Sequence, residues 1–195
     1  MRLDGDTWRP VGDNLETDVP LASWLRQVSI AANGDSVAVA YPTASDIAVA
    51  TLAASGWRVS SAATHGGARI ASLHSEIGPS GKLLVSWDQD SALQVALFDG
   101  SGWRLLPDAA EGFHLLYAAA LRADGVPIAF FERGFENPAP PYDFATGTWK
   151  DGAWNLSQLP STGNWNNPAL SRDGDALFSV LTGGSISFTA LHTPP

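Results

Sequence analysis

Cysteine is absent from all 195 residues, so disulfides, thiolate metal sites and cysteine nucleophiles are excluded. Basic residues are scarce: 11 Lys and Arg stand against 20 Asp and Glu, giving a formal charge of −9. A phosphate backbone calls for a basic stripe, so nucleic acid is not an expected partner, and neither is an anionic membrane surface. Long apolar runs are missing as well. The longest fall far short of the roughly 18 residues that a membrane-spanning helix requires. The opening "MRLDGDTWRP" shows no apolar core of a secretion signal, which leaves the compartment open. No Gly-x-Ser-x-Gly or His-Glu-x-x-His run occurs. The four histidines are scattered, so neither a metal site nor a cofactor is expected.

What the chain has in quantity is glycine (19), proline (13) and tryptophan (8), with 45% hydrophobic and only 16% charged residues. Such a chain is long enough for one domain with a sizeable core and too apolar for disorder. Short apolar runs between Gly and Pro turns indicate many short strands.

The strands repeat. "SGWR" occurs at 55–58 and again at 101–104. A Trp just after a turn recurs at Trp8, Trp57, Trp103 and Trp154, about 46 to 51 residues apart. A polar–Gly turn recurs in step at Gly34, Gly81, Gly125 and Gly174. Two markers drifting together define a unit of four short strands. In the first unit these read "QVSIAA", the Asn33-Gly34 hairpin turn, "SVAVAY", "IAVATLA" and "WRVSS". The units span about 24–62, 70–108, 114–160 and 164–195. The fourth unit lacks its last strand, while 7–12 ("TWRPVG") stands unclaimed before the first. The expected fold is an all-β propeller of four four-stranded blades. Residues 6–12 would complete the C-terminal blade by pairing beside 185–191, which removes two sheet edges. One chain closing its own ring is the expected state, and a homodimer using the same strand exchange is the alternative.

On the Gly-Trp turn phrase and the unit length, the chain resembles bacterial propeller repeats, including sialidase-like and lectin-type ones. "LDGDTW" and "TGTWKDGAW" echo parts of a sialidase Asp-box without completing it. The resemblance implies an architecture, and architecture does not fix function.

Aligning the units on their turn glycines puts Ile30, Ile77, Leu121 and Leu170 in one apolar column expected in the core. Two columns of opposite parity hold Gln27, His74, Ala118 and Asn167, and Ser29, Glu76, Ala120 and Ala169. These are expected to face the central channel. His74 and Glu76 share a strand face and could form an acid–base pair. The insertion "ERGFENPAPPYD" (132–143) interrupts the repeat and brings Glu132 and Arg133 to the same end. Asp88 and Asp90 are weak candidates for Ca²⁺ without further oxygen ligands. Trp87 aligns with Tyr41 and Phe131 and is expected in the core. Trp24 and Trp165 have no counterpart in every unit; beside Arg26, Gln27, Asn166 and Asn167 they give the composition of a sugar site. The expected function is therefore non-catalytic binding of a small molecule or glycan by Trp24, Arg26, Gln27, Tyr117, Glu132, Arg133, Trp165, Asn166 and Asn167. The alternatives are a small hydrolase or lyase using His74 and Glu76, and a structural or partner-binding ring.

Overall fold

A computed structural model describes residues 2–10, 28–78, 81–90, 92–107, 113–133, 143–158, 166–170, 176–182 and 186–192. Every regular element in them is a strand. A hairpin of β1 (Arg2–Asp4) and β2 (Thr7–Arg9) comes first. Sheet I follows, with β3 (Ser29–Asn33), β4 (Ser36–Pro42), β5 (Asp46–Ala53) and β6 (Gly56–Thr64). Sheet II holds β7 (Ile70–Ile77), β8 (Leu83–Gln89), β9 (Ala92–Phe98) and β10 (Trp103–Leu106). Sheet III holds β11 (Phe113–Leu121), β12 (Pro127–Arg133), β13 (Asp143–Lys150) and β14 (Ala153–Gln158). Sheet IV holds β15 (Asn166–Leu170), β16 (Ala176–Thr182) and β17 (Ile186–His192). All described pairings are antiparallel and sequential, as tight Gly turns permit.

The recurrent Trp fixes the outer hairpin of each unit. Trp8, Trp57, Trp103 and Trp154 lie opposite Leu3, Leu52, Phe98 and Trp149, always the residue five positions earlier. An apolar pair at that position closes the turn, and in two units it is aromatic: ring centroids are 5.4 Å apart in Phe98–Trp103 and in Trp149–Trp154. The indole N–H then reaches the preceding sheet. Trp103 Nε1 donates to Ser60 Oγ at 2.9 Å, and Trp154 Nε1 donates to the Pro107 carbonyl at 3.0 Å. The repeated phrase thus locks successive sheets together at their outer strands.

Consecutive sheets meet face to face. The I–II seam is filled by Ala38, Ala40, Ile47 and Val49 from sheet I and by Ile77, Leu83, Val85, Trp87 and Ala96 from sheet II. Trp87 is 1% exposed, which places it in the core as expected. The II–III seam is filled by Leu84, Val95, Leu97 and Leu106 against Ala119, Leu121, Ala129 and Trp149. Alternate residues of one strand therefore serve two different seams: Val85 faces sheet I while Leu84 faces sheet III.

Two expectations are corrected here. Ser29, His74 and Glu76, expected to face the channel, bond instead to the next sheet, because the faces of stacked sheets look at their neighbours. Ile30, expected in the core with Ile77 and Leu121, is 70% exposed, against 6% and 0% for those two. The register explains part of the difference. The I hairpin turns directly from Asn33 to Ser36 whereas the II hairpin runs from Ile77 to Leu83, so Ile30 corresponds to Ser75 and Ala119 in the fold. Leu170 side-chain burial lies outside the described residues. β2 pairs with β1, and part of the expected pairing of 6–12 beside 185–191 lies outside the described residues.

Candidate functional site

One end of the sheets carries both the second-to-third and the fourth-to-first strand connections. In sheet I these two loops are held together. The His65 and Gly66 amides donate to the Ser45 carbonyl, and His65 is 4% exposed. The Gly67 N–H donates to His65 Nδ1 at 3.2 Å, which leaves Nε2 to donate to the Thr43 carbonyl at 3.1 Å. His65 is a buried structural link in this rim.

At the same end the innermost strands of sheets II, III and IV all lose regular pairing. The register shifts between Ala71 and His74 in β7, between Leu116 and Ala118 in β11, and between Asn166 and Ala169 in β15. Ser72 adopts a φ of 52° within the first of these. A bulge bends its strand and re-aims side chains, and such features gather beside binding sites. Two residues singled out from the sequence, Tyr117 and Asn167, fall within these shifts. Glu132 and Arg133 end β12 at this rim, opposite Leu115 and Phe113. The inner strands β11 and β15 are in contact, so the topology brings Tyr117, Glu132, Arg133, Asn166 and Asn167 to one end of two adjacent sheets. Trp24, Arg26, Gln27 and Trp165 lie outside the described residues.

His74 and Glu76 sit on the II–III seam. Glu76 Oε2 accepts the Leu121 N–H at 3.0 Å. His74 keeps an exposed side chain, yet the sheets crowd its ring. Desolvation lowers its pKa from the ordinary imidazole value, and a hydrogen bond with the Ala119 backbone offsets part of that. Ser29, one sheet earlier, does the same work: its Oγ accepts from the Ser75 N–H at 2.8 Å and bonds the Ser75 hydroxyl at 2.9 Å. Both residues clip an inner strand to the next.

Beside His74 in the ladder stands Ser86, which is fully buried, and its hydroxyl has no hydrogen-bond partner among the described residues. Asp88, two residues on, is 6% exposed. The seam thus grades from Leu84 and Leu97 to a polar end at His74, Ser86 and Asp88. Sequence reasoning missed Ser86, whose only signal is a lone hydroxyl in the apolar run "LLVSW". Asp90 is exposed at the turn, with a φ of 51°. Among the described residues no three His, Asp or Glu side chains converge as a metal site would require.

No protein-family model matches the chain, and no curated protein matches it in sequence. Solved structures do match in shape. TolB from Acinetobacter baumannii superposes with a TM-score of 0.52 at 15% identity, covering 84% of this chain and 40% of its own. A candidate 6-phosphogluconolactonase from Bacteroides uniformis superposes with a TM-score of 0.50 at 11% identity, covering 85% of this chain and 55% of its own. Both are propeller-type folds, and the stacked antiparallel sheets here are of that class. The chain spans about half the length of these two proteins or less.

Proposed function

We propose that the protein is a non-catalytic, lectin-like propeller module that binds a carbohydrate at the rim. In this reading the chain contributes four blades of the sialidase-like, lectin-type repeat grammar, and β2 serves as the outermost strand of the sheet begun by β15–β17. The recurrent bulge carries the reading. Three consecutive inner strands leave regular pairing at one end, at Ser72 and Leu73, at Tyr117 and at Asn167. Irregular strand ends free both backbone and side-chain groups for a polyol's hydroxyls. An aromatic beside amides and a guanidinium suits a sugar ring, whose C–H face stacks while its hydroxyls pair. The ligand groups are Tyr117, Glu132, Arg133, Asn166 and Asn167, joined by Trp24, Arg26, Gln27 and Trp165 from the connections entering β3 and β15.

A glycan array followed by titration of intrinsic Trp fluorescence tests this. The expected result is saturable binding that weakens about tenfold, or 1.4 kcal/mol, in Asn167→Ala and in Trp165→Ala. Silence across the array in the unaltered protein would overturn it.

The second reading is a hydrolase or lyase with His74 and Glu76 as acid and base. The placement of His74 two residues from Glu76 on one strand, with its side chain exposed, supports it. It requires a pH-dependent turnover that His74→Ala abolishes.

A further inference from the structure

At the end of the sheets away from the rim, a side-chain amide clips sheet I to sheet II. Asn33 closes β3 and pairs with Ser36 across the Gly34–Asp35 turn. Its Nδ2 donates over the seam to the carbonyl of the buried Ile77 at 3.3 Å. Asn33 is also the only asparagine of the chain with a glycine after it. Leucine follows Asn155, and its side chain hinders any approach of the next backbone nitrogen; proline follows Asn167 and has no N–H.

We propose that Asn33 is a site of spontaneous deamidation, and that the reaction releases the clip between sheets I and II. The Gly34 backbone nitrogen adds to Asn33 Cγ. A new C–N bond forms, the Cγ–Nδ2 bond breaks, and Nδ2 leaves as ammonia with the proton that Gly34 gives up. The product is a five-membered succinimide. Water then opens it: breaking the new bond gives aspartate, and breaking the original peptide bond gives isoaspartate. No oxidant or reductant takes part, and hydroxide speeds the step by drawing off the Gly34 proton. Three observations favour ring closure here. Gly34 is exposed, with a φ of 59°, and a Cβ built on it would meet nothing within 4 Å, so the ring has open space. Its N–H makes no hydrogen bond among the described residues, so the nucleophile is free. Gly34, Asp35 and Ser36 form an exposed hairpin tip, which opens locally at low cost and lets the Asn33 backbone rotate into line. The consequence follows from the hydrogen bond. In both products an oxygen replaces Nδ2, so two acceptors stand across the seam where a donor met the Ile77 carbonyl. Isoaspartate also lengthens the main chain by a methylene and disturbs the Asn33↔Ser36 pairing. Sheet III shows where a carboxylate before a turn glycine goes: Asp124 Oδ1 accepts the Val126 N–H of its own turn at 3.0 Å.

Peptide mapping by mass spectrometry tests this on the folded protein, held warm at mildly alkaline pH beside a urea-unfolded sample. The expected result is that the peptide holding Asn33 gains the mass of OH in place of NH2, as a mixture of aspartate and isoaspartate. The peptide holding Asn155 should stay unchanged, and so should Asn33→Gln, whose longer side chain closes a six-membered ring far more slowly. The converted protein and Asn33→Asp should both unfold at a lower urea midpoint than the unaltered chain, with the m-value constant. The mass readout needs no variant, so it stands even where Asn33→Asp fails to fold. Folded protein that keeps Asn33 intact after the unfolded sample has converted overturns the proposal. A converted protein with the midpoint of the unaltered chain overturns it equally, because the clip would then hold nothing.

Discussion

Glu76 and His74 show how much one residue contributes to a seam. Removing the Glu76 carboxylate leaves the Leu121 N–H, inside a residue that is 0% exposed, without its acceptor. Glu76→Ala should therefore lower stability by about 1–3 kcal/mol, read from the urea midpoint at constant m-value. His74 works through pH. Its folded pKa lies below the unfolded value, so the folded state holds the proton less tightly than the unfolded chain does. Its contribution is complete above the ordinary imidazole pKa and is lost as pH falls from about 6.5 toward the depressed value. Melting temperatures between pH 7.5 and 5 should thus fall more steeply for the unaltered protein than for His74→Gln. Gly78 tests the tightness of the same seam. A Cβ there would stand 3.1 Å from Leu121 Cδ1 and 3.2 Å from its Cβ. Leu121 has no room to retreat, so Gly78→Ala should cost about 1–3 kcal/mol. The turn Asp99 accepts from the Ser101 hydroxyl at 2.7 Å and from the Ser101 amide at 2.9 Å, which lowers its pKa. It holds the tight turn that leads into Trp103.

At the scale of the element, the outer hairpin combines a cross-strand apolar pair with an indole bond to the sheet before. These two roles separate experimentally. Trp154→Phe keeps an aromatic ring opposite Trp149 and deletes the bond to the Pro107 carbonyl. The expected loss is about 0.5–1.5 kcal/mol in urea unfolding. Trp154→Ala removes both contributions and should cost clearly more. Much of this level was legible in the chain: the Trp spacing and the alternation of "SVAVAY" defined four-strand units. The inner strands were less legible. Hairpin length differs between sheets I and II, and bulges occur in β7, β11 and β15, so columns drawn by counting from the turn glycine slipped by two residues at Ile30.

For the whole molecule, charge and apolar surface oppose one another. The chain carries −9 and repels itself, while the apolar rows of the two described seams gain from leaving water. Raising salt screens the repulsion and leaves the apolar gain intact. The urea midpoint should accordingly rise between about 50 and about 300 mM NaCl, as unfolding at the two salts would show. A fold held mainly by ion pairs would move the opposite way.

The chain by itself determined the unit: where strands begin, where they turn, and that an aromatic phrase ends each one. It did so because period-two alternation and Gly turns are local, fixed within a few residues by backbone sterics. Only the tertiary structure decided which neighbour each face meets. It sent His74 and Glu76 to sheet III rather than the channel, gave β2 to β1, and left Ile30 in solvent. Alternation marks two faces on every strand, but what covers a face depends on residues some 45 positions away.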